Sequence, residues 1–113
     1  MDLTLTPAWS IELASAHPAA RLAADELRAH LAALGAPELP LTSAAAGPRI
    51  ALRHGAAGEG FVRAPDAGGL LLEGAGPAGL LYAAYDLLER LGCAWPAPGP
   101  AVAPRRERVE LPA

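Results

Sequence analysis

The stretch Gly74–Gly99 reads GAGPAGLLYAAYDLLERLGCAWPAPG, and it decides the fold of this chain. It consists of a glycine-rich turn, an amphipathic helix that ends at Gly92, and a proline-rich exit around Trp95. Leucines and alanines recur at helical spacing over about Pro77–Leu91, which predicts one buried stripe and one exposed face. The predicted core positions of this helix are Leu80, Leu81, Ala84, Leu87, Leu88 and Leu91.

Earlier in the chain, the same periodicity predicts a first helix over Ala19–Leu34, which Gly35 ends and which Ser15 is placed to cap. Its core face would carry Ala20, Ala23, Leu27, Leu31 and Leu34, and Arg21 would pair with Asp25 on the outer face. Alternating apolar residues predict strands at Leu3–Thr6 (extended or re-formed at Trp9–Leu13), Arg49–Arg53, Phe61–Ala64 and Gly69–Glu73.

The segments between these elements predict the topology. Glu38–Pro48 has the composition of a loop, and Pro65–Gly68 predicts a tight turn that joins the last two strands as an antiparallel hairpin. The proline-rich tail predicts an extended segment with one final edge strand over Val109–Leu111. The resulting order, β-α-β-β-β-α, predicts a single α+β domain over residues 1–113, with a mixed or antiparallel sheet and two helices on one face.

Composition excludes several functional classes. The net charge of −3 gives no electrostatic reason to expect nucleic acid or an anionic membrane as a partner. The N-terminus has no signal-peptide pattern, and no apolar run approaches the length of a membrane helix. The absence of Lys, Asn and Gln beside abundant Ala, Gly, Pro and Arg is typical of a bacterial gene of high GC content.

The glycines of the turn match a dinucleotide-binding pattern, Gly74-x-Gly76-x-x-Gly79 after an apolar strand. That site also needs a second parallel strand ending in an acid about 20 residues further on. Here a poor strand follows the helix and the nearest later acid is Glu107. We therefore predict that the glycines reverse the chain and let the helix pack tightly on the sheet, and that no cofactor binds.

No residue carries the pattern of a catalytic or metal site. The three histidines have no metal-ligand spacing with one another or with Cys93, which we expect to be a small buried apolar residue. Glu73, Asp86 and Glu89 lie around the second helix, but exposed helix acids are far commoner than paired catalytic carboxylates. We predict no catalytic residue and no metal ligand.

Gly74–Gly99 resembles a segment of the small N-terminal α+β domain that precedes the catalytic barrel in α-glucuronidases and β-N-acetylhexosaminidases. The matching residues are Gly74, Gly79, Leu81, Tyr82, Tyr85, Leu88, Leu91, Gly92, Trp95, Pro98 and Gly99. The resemblance implies a non-catalytic accessory domain of a glycoside hydrolase. It also implies that the partner is the barrel of the parent chain.

Tyr82, Tyr85 and Trp95 are the candidate docking surface for that barrel, since a tryptophan in a proline-rich exit is costly to leave in water. The alternative is a stand-alone module that binds carbohydrate or another protein through Trp95 and its aromatic neighbours. A nucleotide-binding enzyme fragment, suggested by the glycine pattern alone, is the weakest hypothesis.

Overall fold

The computed structural model of the chain describes residues 3–15, 17–55, 60–93 and 105–112. Five strands and two helices lie in this part of the chain. In sequence order they are β1 (Ser10–Leu13), α1 (Pro18–Leu34), β2 (Leu41–Thr42), β3 (Arg49–His54), β4 (Phe61–Asp66), β5 (Gly69–Gly74) and α2 (Pro77–Arg90).

The strands form one mixed sheet in the order β2-β1-β3-β5-β4. β1 pairs in parallel with both β2 and β3, and β3 pairs in parallel with β5. Only the edge strand β4 is antiparallel to its neighbour, in the hairpin that the sequence predicts. The α+β class and the mixed sheet are therefore confirmed, with one strand more than predicted.

Both helices cover one face of the sheet. Apolar residues of three strands are in register on that face and almost completely buried: Ile11, Ile50 and Leu70 in one row, Leu13, Leu52 and Leu72 in the next. α2 packs on β5, β3 and β4, and α1 packs on β1 and α2. Burial of these rows against the helices is the main apolar contribution to the fold.

Helix α1 ends as predicted but begins differently. Gly35 closes it in the left-handed conformation, with a φ of 110°, and every predicted core residue of α1 is buried. The cap is His17 and not Ser15, because the His17 Nδ1 accepts the backbone N–H of Ala19 at 3.1 Å. Ser15 instead accepts the N–H of His17. The predicted pair of Arg21 and Asp25 forms at 3.6 Å.

The strand predictions need two corrections. Leu3–Thr6 is not a strand of the sheet, since Thr4 makes only an isolated bridge to Glu110, and the first strand is the alternative further along. The predicted loop between α1 and β3 contains the two-residue strand β2. Val109 and Leu111 are buried. The Val109 carbonyl accepts the N–H of Leu5, and the N–H of Leu111 donates to the Leu3 carbonyl, so the predicted final strand exists only as the bridge between Thr4 and Glu110.

The β4–β5 hairpin is tighter than predicted. Its turn is Ala67–Gly68, so Pro65 lies inside β4 opposite Leu70. In a hairpin with a two-residue turn, the second residue pair from the turn makes no hydrogen bonds between the two strands. The backbone nitrogen of Pro65 therefore points away from β5, and its missing N–H costs no hydrogen bond of the sheet. The proline also leaves the free edge of the sheet a poor template for another strand.

Candidate functional site

The predicted docking residues on α2 occupy different environments. Tyr82 lies in the middle of the outer face and is 61% exposed. Tyr85 is half-buried and packs against the core on the side of α1. Burial, together with the negative charge of Glu26 on α1, raises the pKa of Tyr85. Trp95, the third predicted member, lies outside the described residues.

A partly buried ion pair fixes the other side of α2 to the edge strand. The Asp86 Oδ2 accepts bonds from Arg63 on β4 and from Arg90 one helical turn further on, each at 3.0 Å. Asp86 and Tyr85 lie on either side of Tyr82 around α2. The Arg63 pair therefore holds one flank of α2, and the packing of Tyr85 holds the other. The outer face between them, with Tyr82 at its centre, is unobstructed by the described residues.

The glycine turn packs the start of α2 closely against the sheet. A Cβ on Gly74 would lie 2.1 Å from the backbone nitrogen of Leu80, so β5 and α2 approach as closely as only glycine allows. A Cβ on Gly79 would lie 2.7 Å from the carbonyl oxygen of Gly60. These contacts confirm the tight packing of helix on sheet that the sequence predicts.

The sheet face away from the helices carries a charged network that the sequence analysis missed. Glu12 accepts the backbone N–H of Ala45 at 2.9 Å, and its carboxylate also pairs with Arg49 and Arg53. Arg49 reaches across to Asp66 at 3.7 Å. The bond from Ala45, and then the two arginines, hold the pKa of Glu12 below its usual value.

The network follows from register. Ser10, Arg49 and Gly69 are paired in one row, and Glu12 and Ala51 in the next, so the charged residues of β1 and β3 fall on the same face. Arg49 is half-buried there, with 22% of its side chain accessible. Alternation in β1 and β3 could have indicated the shared face, but not which strands are neighbours.

The structure does not bring Glu73 together with the two acids of α2. Asp86 lies on α2 above the helix-covered face, where it pairs with Arg63. Glu73 is in register with Val62 and Arg53 on the opposite face. Glu89 is exposed on α2. The sheet therefore separates Glu73 from Asp86 and Glu89, which lie three positions apart on α2.

The remaining polar candidates have local structural partners. His30 pairs with Glu26 at 3.2 Å, and His54 bonds the Ser15 hydroxyl at 3.1 Å. Cys93 is buried, as predicted, and burial raises the pKa of its thiol. Among residues 3–15, 17–55, 60–93 and 105–112, no cluster of His, Cys, Asp and Glu could hold a metal ion. Neither described helix is long and apolar enough to cross a bilayer.

Fold and surfaces together define a small α+β domain with a mixed sheet and both helices on one face. No protein-family model and no curated protein sequence matches the chain. Among solved structures it is similar to a GH138 enzyme that targets pectin rhamnogalacturonan II. The TM-score is 0.62 at 16% sequence identity, over 83% of this chain. The chain spans only 11% of the length of that enzyme. The likeness therefore shows a fold shared with part of a glycoside hydrolase.

Proposed function

We propose that this chain is a non-catalytic accessory domain of a glycoside hydrolase, and that it packs against a catalytic barrel of the parent protein. The observation that supports the proposal is the relation of sizes in the comparison. Most of this chain corresponds to a ninth of a much larger GH138 enzyme. A fold that recurs as a small part of a large enzyme is expected of an accessory domain, although fold likeness alone does not determine function.

The arrangement of charges favours a non-catalytic role. Cleavage of a glycosidic bond usually needs two carboxyl groups about 5 to 10 Å apart that face a common open site. Glu73 and Asp86 lie on opposite faces of the sheet. Glu12 and Asp66 do share a face, but Arg49 lies between them and pairs with both. In this arrangement an arginine, and not an open cleft, lies between the two carboxylates.

The sequence resemblance suggests the class of the parent enzyme, which would be similar to an α-glucuronidase or a β-N-acetylhexosaminidase. The docking surface would be the outer face of α2. Tyr82 presents a large ring there with 61% of its surface accessible, and its removal from water on docking would contribute about 1 to 3 kcal/mol. Tyr85 would support that face from beside α1, and Trp95 would extend it.

The gene provides the first test. The reading frame that contains this chain should also encode a catalytic barrel of about 250 residues or more. A frame with no catalytic domain would overturn the proposal, whatever the behaviour of the isolated chain.

Binding provides the second test. The immobilised chain should capture the separately expressed remainder of the parent protein. Tyr82→Ala and Trp95→Ala should each weaken capture about tenfold, as expected when a central aromatic anchor is removed. Leu22→Ala is the matched control, because Leu22 is an exposed apolar residue (45%) on the other helix. If neither Tyr82→Ala nor Leu22→Ala changes the capture, the outer face of α2 is excluded as the docking surface. No capture at all would exclude the accessory role.

A further inference from the structure

A groove lies at the carboxyl ends of β1 and β2. It is on the side of α1 that faces away from α2. Its volume is about 500 Å³, within the range of small-molecule sites. Leu13 and Thr42, the last residues of β1 and β2, form its floor, and Arg21 and Arg28 of α1 form one wall. Ser15 closes the end nearest β3.

The topology of the sheet places one end of this groove beside a position where ligands commonly bind. From β1 the chain passes through α1 to β2 on one side, whereas β3 and its parallel neighbour lie on the other. In open sheets, ligands bind outside the carboxyl ends of parallel strands where the connections diverge in this way, which here is between β1 and β3, at the Ser15 end of the groove. A second groove of about 540 Å³ adjoins at Ser15 and adds Arg53 and His54 to the same edge.

The charge of the lining is opposite to that of the chain. The net charge is −3, yet the described residues that line the groove include two arginines, three hydroxyl side chains and no carboxylate. Arg21 and Arg28 lie seven positions apart on α1, two helical turns, so their guanidinium groups are on the same side of the helix. Guanidinium groups with neighbouring hydroxyls are the donors that carboxylate and phosphate groups prefer.

The acids that contact these arginines leave them able to bind a ligand. Arg21 pairs with Asp25 at 3.6 Å and Arg28 with Glu38 at 3.8 Å, and neither acid lines the groove. The Glu38 side chain is 89% exposed, and exposed pairs of this kind are weak. The Arg28 Nε donates to the Leu39 carbonyl at 3.0 Å, which holds that guanidinium at the groove wall.

We propose that this groove binds a small molecule through an oxyanion, a carboxylate or a phosphate group, held by Arg21 and Arg28. The site is distinct from the α2 surface, and the proposal does not rest on the accessory role. Anion binding is therefore expected even if the proposed docking on a catalytic barrel proves wrong.

The test is a nuclear magnetic resonance titration of the 113-residue chain with glucuronate, inorganic phosphate and glucose. We expect saturable shifts at Ser15, Arg21 and Thr42 with one or both anions below about 10 mM, and none with glucose. Arg21→Gln should weaken binding about tenfold and Arg21→Lys less. Arg21 is the residue to change, because loss of Arg28 would also remove its bond to Leu39.

Arg90→Gln is the matched control. Like Arg21, Arg90 is an exposed helical arginine with an acidic partner four positions away, but it lies on α2 and does not line the groove. Whichever anion binds more tightly identifies the oxyanion. The proposal is overturned if neither anion saturates, if glucose binds as well as glucuronate, or if Arg90→Gln weakens binding as much as Arg21→Gln. Circular dichroism of each variant confirms that a loss of binding is not a loss of fold.

Discussion

Substituting the first two glycines of the turn tests whether close packing of α2 on β5 explains the first of them. We choose Gly74→Ser and Gly76→Ser, which add the same side chain two residues apart. A Cβ at position 74 would lie 2.1 Å from the Leu80 nitrogen and 2.5 Å from the Gly79 carbonyl carbon. A Cβ at position 76 would have nothing within 4 Å.

The magnitude follows from these distances. Ordinary contacts begin near 3.4 Å, so the first turn of α2 would have to move about 1 Å away from β5. The atoms in the way are backbone and cannot rotate aside. Overpacking of this kind costs about 1 to 3 kcal/mol, and a backbone clash lies at the upper end. For a domain of this size, a loss of about 3 kcal/mol lowers the melting temperature by roughly 10 to 20 °C.

Gly76→Ser should be neutral or slightly stabilising. Gly76 is the N-cap of α2, its φ of −179° suits any residue, and no side chain caps the helix there now. Serine is a preferred residue at that position. Thermal melts followed by circular dichroism give both values. Equal melting temperatures for the two variants would show that α2 does not approach β5 at Gly74, and the explanation of the turn would be wrong.

Three further predictions concern the same chain. Leu88→Ala should lower the free energy of unfolding by about 2 to 5 kcal/mol in denaturant melts, because Leu88 is fully buried. Tyr82→Ala should lower it by under about 1 kcal/mol, and equal losses would contradict the exposed face of α2. NAD and FAD should leave the melting temperature unchanged, since a ligand of the native state must raise it. The lowered pKa of Glu12 stabilises the fold above the unfolded-state pKa, and this contribution is lost as the pH falls through the folded-state value. Acid melts between about pH 6 and pH 3 should therefore destabilise the wild type more than Glu12→Gln, and parallel curves would count against the Glu12 network.

Local periodicity was sufficient for the elements that bury one regular stripe. The two helices, β3 and the β4–β5 hairpin appear within a few residues of their predicted bounds, because each buries side chains at a fixed spacing. The exposure of Tyr82 follows from the same argument. Tyr85 does not, since its partial burial depends on α1 packing beside α2, and no pattern within α2 contains that information.

Non-local pairing accounts for what the sequence did not predict. β2 has two residues, too few for any alternation, and it is a strand only because β1 lies beside it. The network around Glu12 required knowing that β1 and β3 are neighbours in parallel register. The groove depends on the pairing of β2 with β1, because that pairing brings Thr42 to the same groove as Arg21 and Arg28. The spacing of the two arginines along α1 was the only part of that site visible in the sequence.

The two proposed surfaces are physically independent. The docking surface is centred on Tyr82, where α2 is held between Arg63 and the α1 side, and its energy would come from removing an aromatic ring from water. The groove lies at the carboxyl ends of β1 and β2, and its energy would come from charge-assisted hydrogen bonds. High salt should weaken the second and leave the first largely intact, because screening acts on charge and not on apolar burial. A binding activity of this domain can therefore be assigned to one surface or the other from its salt dependence, before any residue is changed.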